Sequence, residues 1–189
     1  MAMTSPSELS SQQQAMVQLW DKHTRSEFEQ HDADATLTTM TETPHLTHVP
    51  TLTGGVGRKE IHNFYATHFI PKLPPDTETE LITRTVGHDR IVDELIFKFT
   101  HSIEMDFFLP GLAPTGRRVE VPLVAIVQFR DGKIESEHIY WDQASVLVQI
   151  GLIEPGELPV AGRETAQKIR DPNVASNRLI ARARQKGRT

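Results

Sequence analysis

Apolar positions recur every three to four residues in the first third of the chain and every second residue in the middle third. Val17, Trp20, Thr24 and Phe28 fall on one helical face. Ser5 as cap, Pro6 in the first turn and Glu8 closing a capping box start this helix, which is expected over residues 6–31. Asp32-Ala33-Asp34 breaks and recaps the chain before a shorter helix running through Met40. Thr43 to Thr51 reads as a first strand, followed by a turn at Gly54-Gly55-Val56-Gly57. Residues 58–70 put Ile61, Phe64, Tyr65 and His68 on one face of a third helix, which Pro71 stops.

The period then becomes two. Thr79–Val86 and Arg90–His101 flank Gly87-His88-Asp89 as a hairpin, with Ile91, Leu95, Phe97 and Phe99 on one face and Asp93 the exception among them. Residues 102–116 form a long Pro- and Gly-marked loop with its own aromatics, the signature of a lid or binding loop. Arg118–Phe129 alternates from Val119 to Phe129, its Pro122 implying a bulge or an unpaired stretch. Asp131-Gly132 turns the chain into a last strand, Ile134–Asp142, and residues 143–152 form a short helix. Helices first and strands afterwards indicate an α+β domain: a cone-shaped, curved antiparallel β-sheet wrapped around the N-terminal helices, with an open mouth. The domain is expected over residues 1–152. Residues 153–189, with their basic end, are expected to be an extension that is loosely packed or associated with a dimer.

Composition narrows the function. The 189 residues carry a net charge of −5, which gives no reason to expect nucleic acid as a partner. No run approaches the ~18 apolar residues of a membrane span, and the first residues lack a secretory pattern, so the expected setting is cytoplasmic. With no cysteine, thiol chemistry and Cys-ligated zinc are excluded. There is no nucleophile elbow, phosphate loop or dinucleotide fingerprint.

The candidate chemistry sits in EHIYWDQASVLVQIG, residues 137 to 151. Strict alternation puts Ile134, Ser136, His138, Tyr140 and Asp142 on one face and Glu135, Glu137, Ile139 and Trp141 on the other. Were the first face to line a cavity, Asp142 would be a carboxylate among aromatics, suited to moving protons, with His138 and Tyr140 orienting it. Capping the following helix is the structural alternative for Asp142. His48, Tyr65, His68, His101 and Trp20 are the expected substrate-binding residues, placed by side-chain direction. His45, three residues from His48, takes the opposite face, so the pair is not a metal site. No metal ligand set is expected from spacing along the chain. A water-using hydratase or epoxide hydrolase would need a second acid near Asp142, for which Asp93 and Asp106 are the candidates.

This pattern resembles the SnoaL-like polyketide cyclase family within the nuclear transport factor 2-like superfamily. The resemblance runs over most of residues 8–152. It is carried by EHIYWDQASVLVQIG, by Thr53-Gly54-Gly55 through Gly57-Arg58 with Glu60-Ile61 and Phe64, and by LPGLAPTGRRVEVP. It implies a cone-shaped α+β barrel, often a homodimer packed sheet on sheet. It also implies an aldol-type cyclisation, isomerisation or related lyase step on a small apolar carbonyl compound, with no metal or organic cofactor. By that resemblance Asp142 falls at the acid/base aspartate and His138 at the histidine of a Glu-His-Trp motif, in which Ile139 here replaces the tryptophan. A non-catalytic binding or dimerisation module of the same fold, its cone plugged by Phe107, Phe108 and Leu109, is the alternative.

Overall fold

A computed structural model describes residues 9–156 and 158–186. Its elements are α1 (Ser11–Phe28), α2 (Ala33–Thr38), β1 (Met40–His48), β2 (Thr53–Val56), α3 (Gly57–Asn63), β3 (Glu78–Val86), β4 (Arg90–Thr100), β5 (Arg118–Arg130), β6 (Lys133–Trp141), α4 (Gln143–Gln149), α5 (Glu164–Arg170) and α6 (Arg178–Lys186). The α+β class and the curved sheet under the N-terminal helices are as expected. Six strands run in the order β2-β1-β6-β5-β4-β3, and the sheet does not close. It is mixed rather than antiparallel throughout, because β1 enters beside β6 in parallel. No helix among the described residues is long and apolar enough to cross a membrane.

Several boundaries differ from the sequence reading. The expected cap at Ser5 to Glu8 lies outside the described residues. Here α1 starts at Ser11, with Ser10 capping and Gln13 completing a reciprocal capping box. The first strand begins at Met40, not Thr43. The glycine cluster is strand β2 instead of a turn: Leu46 pairs with Gly55 and Thr47 with Gly54. Only glycine fits at Gly54, where φ is +133° and a Cβ would run into the Leu46 carbonyl. Asp131 and Gly132 both have positive φ, 52° and 71°, which matches the twist of the flanking strands. Pro122 needs no bulge against β4, where it pairs in register with Ile96. Its missing N–H falls on the other edge, where pairing with β6 stops at Leu123 and the Gln149 amide takes over at Glu120.

The core lies between the inner face of β4 and β5 and the helices. Ile91, Phe97 and Phe99 from β4, and Val119, Val121 and Val127 from β5, are buried against Met16, Trp20, Ile61, Phe64 and Tyr65. Outside this cluster, Ile96 and Ala166 are also completely buried. They belong to the far side of the sheet, where α5 packs on β5 and Arg170 bridges Glu80 and Glu120 at 2.8 Å each.

Candidate functional site

The buried stripe of α1 is Met16, Trp20, His23 and Glu27, a four-three-four spacing that keeps one helical face on the core. Two apolar residues are followed by two ionisable ones, and the ionisable end meets β6. His23 Nε2 lies 3.2 Å from Oε1 of Glu27 and 3.2 Å from Oε1 of Glu137. The Tyr65 hydroxyl, 3.2 Å from the same nitrogen, donates to Glu137 Oε1 at 3.2 Å. On the other side of the ring, Nδ1 is 2.6 Å from the Thr39 hydroxyl, which itself donates to the Thr36 carbonyl at 2.6 Å. Thr39 has one proton and spends it on Thr36, so Nδ1 must donate to Thr39. Nε2 then faces an oxygen of each of two carboxyl groups and needs a proton, and with it a positive charge, between them. Burial pulls the imidazole pKa down, but the charges of Glu137 and Glu27 outweigh it and hold the value up at about 10. His23 is therefore an imidazolium at neutral pH. Burial pushes the Glu27 carboxyl up against the opposing pull of His23, and it pushes the Tyr65 phenol up as well.

Glu27, Glu137, Tyr65 and His48 are polar residues lining a cavity of about 70 Å³ whose wall also includes Trp20, Phe28, Phe69, Phe97, Phe107 and Phe108. Sites that hold drug-sized ligands run to roughly 300 Å³ or more, so the cavity is small. The loop 102–116 accounts for this. Phe107 packs on Phe69 with centroids 4.6 Å apart, and Phe108 stacks on Trp141 at 4.2 Å. Leu109, the third residue of the expected plug, is buried but does not line the cavity. The donor atoms of His23, Glu27 and Glu137 lie within 4.8 Å of one another, close enough to hold a metal ion. Spacing along the chain could not reveal this grouping, because Glu137 is 110 residues from Glu27.

The expected ladder of His138, Tyr140 and Asp142 faces the other way. Gln128 pairs with Ser136, but Phe129 pairs with Ile134, leaving Glu135 as an extra residue. This β-bulge breaks the alternation, since one added residue sends every following side chain to the opposite face. Glu137, Ile139 and Trp141 are thereby buried, while His138 is half-exposed and Tyr140 is 42% exposed. Asp142 is exposed and caps α4, accepting from the amides of Ala144 and Ser145 at 2.9 and 3.2 Å. Asp142→Ala is accordingly expected to lower stability by about 1 kcal/mol, and Asp142→Asn by much less, because Asn caps nearly as well. Thermal melting of the two variants checks this.

Of the expected binding residues, His48, Tyr65 and Trp20 do line the cavity. The Trp20 indole N–H donates to Asp93 at 2.8 Å, and Arg84 grips the same carboxylate from 2.7 and 2.8 Å. Asp93 is thus committed on the inner face and does not lie beside Asp142. His45 faces outward, as its parity requires. His68 is turned away from the cavity. The chain from Phe64 to Phe69 is a π-helical turn, so Phe64 and Tyr65 are followed inward by Phe69 and Ile70, five residues on, and not by residue 68. His68 instead pairs with Asp106 at 3.0 Å, and Lys72 reaches Glu104 and Asp106 at 3.7 Å, a surface fastening for the loop. His101 is fully buried but does not line the cavity: its N–H and C=O pair with Arg117 and Gly116 at 2.9 Å and close the base of the loop.

Sequence reasoning missed His23, Glu27 and Glu137. The legible sign was the polar continuation of an apolar stripe, Met16 and Trp20 into His23 and Glu27. Glu137 gave no sign, because its direction depends on the bulge.

The sequence profile of the SnoaL-like domain matches residues 21–137, and the chain belongs to that family. No curated protein matches it. Similar solved structures include a candidate SnoaL-like polyketide cyclase from Jannaschia sp. CCS1, at 21% identity and TM-score 0.59, covering 80% of this chain and 99% of that one. A candidate hydroxylase, AclR from Streptomyces galilaeus, is 19% identical with TM-score 0.58, covering 76% and 89%. A ketosteroid isomerase-like protein from Catenulispora acidiphila, in complex with trimethylamine, is 15% identical with TM-score 0.54, covering 70% and 92%. At these identities the likeness is one of fold, the nuclear transport factor 2-like cone.

Proposed function

We propose that the protein is a small-molecule enzyme that works by acid/base catalysis without a cofactor, inside the cone, on a small apolar carbonyl compound. Glu27 takes the role that the family resemblance assigns to Asp142. The observation that supports this most is a carboxyl group lining an apolar cavity, raised in pKa by burial and 3.2 Å from a buried imidazolium that favours its ionised form. Such a group gives up a proton and is stabilised by His23 when it does, then recovers the proton from the substrate. Glu137 and Tyr65 hold the imidazolium in register. Aldol-type cyclisation, isomerisation or a related lyase step all need this exchange. The loop 102–116 has to lift Phe107 and Phe108 for a substrate to enter. Dimerisation belongs to the same reading, and the outward face of β6, with the exposed Tyr140, offers a surface for it.

A non-catalytic module is the second reading, and the small plugged cavity favours it. Deuterium exchange separates the two. With a panel of small ketones and lactones in D2O, the protein should exchange α-protons of at least one member. Glu27→Gln should then lower that rate by about 10²–10⁴-fold, the usual share of a general acid–base group, while circular dichroism stays native. Exchange at the background rate across the panel, or an unaffected variant, would favour the binding module.

A further inference from the structure

His48 stands on the inner face of β1 among four aromatic rings, with centroids 5.4 Å from Phe64, 5.9 Å from Phe69, 5.6 Å from Phe107 and 5.8 Å from Trp141. Its one side-chain hydrogen bond joins Nδ1 to the Thr53 hydroxyl of β2 at 3.3 Å. Thr53 in turn lies 3.0 Å from the Phe107 carbonyl, which also accepts from Thr51 at 2.8 Å. A hydroxyl has a single proton, and turning it from a carbonyl 3.0 Å away would set two oxygens lone pair to lone pair. The Thr51 hydroxyl also lies 3.1 Å from that of Thr53, but whether the Thr53 proton goes to Phe107, its shortest contact, or to Thr51, it is not available to His48, and Thr53 accepts from His48. Nδ1 is then the protonated ring nitrogen. Nε2 keeps its lone pair, has no hydrogen-bond partner among the described residues, and belongs to a side chain that lines the cavity. Burial keeps the ring neutral, holding its pKa down at about 4 despite the charge of Glu137.

We propose that His48 Nε2 is a second proton-transfer group of the cavity, and that Thr53 is the positioning residue that selects this tautomer through the Phe107 carbonyl of the loop 102–116. The inference rests on the acid/base reading and adds to it a base distinct from Glu27. It specifies the substrate as an enolisable carbonyl compound. The α-C–H bond breaks, its proton passes to His48 Nε2, and its electron pair forms the C=C bond of an enol. At the same time the Glu27 O–H breaks and protonates the carbonyl oxygen. Ketonisation, at the same or a conjugated carbon, returns a proton from His48 to carbon and the enol proton to Glu27. No oxidant, reductant or co-reactant is consumed. The loop that plugs the cavity also carries the carbonyl that orients Thr53, so a closed loop and a proton-accepting His48 go together.

Nitrogen-resolved NMR of the histidine rings tests the positioning claim without a substrate. In the wild-type protein His48 should be the Nδ1–H tautomer. Thr53→Val should shift it toward Nε2–H, and Thr53→Ser should restore it. In the exchange assay, Thr53→Val should lose kcat with KM unchanged, Thr53→Ser should recover it, and Glu27→Gln should lower exchange by the same roughly 10²–10⁴-fold while leaving the tautomer as it was. A wild-type Nε2–H tautomer overturns the proposal even where Thr53→Val does not fold, and so does a Thr53→Val variant with wild-type tautomer and kcat. A correct tautomer with no exchange on any substrate overturns the catalytic role of His48 together with the acid/base reading, and leaves Thr53 as an orienting contact only.

Discussion

His23→Leu is expected to cost about 3–5 kcal/mol of folding stability at pH 7, the usual range when one partner of a buried ion pair is removed. His23 is completely buried and stands 3.2 Å from two carboxylates that are themselves almost fully buried. Leucine fills the space but leaves Glu27 and Glu137 facing each other across it with no cation between them. The fold can reduce the penalty only by protonating one of them, so the loss should be smaller at pH 5 than at pH 8. Adding Glu27→Met and Glu137→Met to His23→Leu removes the charges altogether and should recover most of the loss. A hydrophobic cluster of similar volume is often as stable as the buried ionic one it replaces. Urea unfolding of the single and triple variants measures both effects. A loss below about 1 kcal/mol for His23→Leu, the scale of an exposed ion pair, would show that the two carboxylates are hydrated and that the site is not the dry pocket drawn above.

The fold was largely readable from the sequence, because its elements follow from local pattern. Alternation from Val119 to Phe129 gives β5 and its buried face directly. Asp131-Gly132 gives the hairpin to β6, and Gly87-His88-Asp89 the one between β3 and β4. Two irregularities of a single residue hid the site. The bulge at Glu135 reversed β6 from Ser136 onward, and the π-helical turn at Phe64–Phe69 swung His68 out while leaving Tyr65 inside. Neither has a composition signal. Both lie within a few residues of groups that line the cavity, where a departure from regular geometry re-aims side chains. The family resemblance pointed to His138 and Asp142, which face away from the cavity once the bulge has reversed the strand. Its carboxylate at the cavity is Glu137, and the acid that joins it comes from α1, more than a hundred residues away in sequence.

Stability should peak near pH 6.5 and fall on both sides, with a different histidine behind each slope. Burial holds the folded His48 near 4, against 6.5 in an unfolded chain. A depressed pKa means that the unfolded chain binds the proton first, so the contribution of His48 is complete above pH 6.5 and is lost as pH falls from 6.5 toward 4. His23 has the opposite sign. Burial alone would depress it, but Glu137 and Glu27 raise it to about 10, so its contribution is complete below pH 6.5 and is lost as pH rises from 6.5 toward 10. Each of these two histidines contributes at most about 1.4 kcal/mol per pH unit, the value of one proton, and His101, whose pKa burial also lowers, adds to the acid slope. Glu27, pushed up by burial, contributes stability where it is protonated, and that contribution is lost as pH rises. Glu80, held down by Arg170 and Lys98, steepens the acid slope only below its ordinary value of 4.5. Urea midpoints taken from pH 4 to 10 should therefore trace a dome. His48→Gln should make the side between 6.5 and 4 shallower, leaving the part that His101 supplies, and leave the alkaline side intact, while His23→Gln should flatten the side between 6.5 and 10. A wild-type profile level from 6.5 to 10 would mean that His23 has no charge to lose, and Glu27 would then lack the counterion that its proton exchange requires.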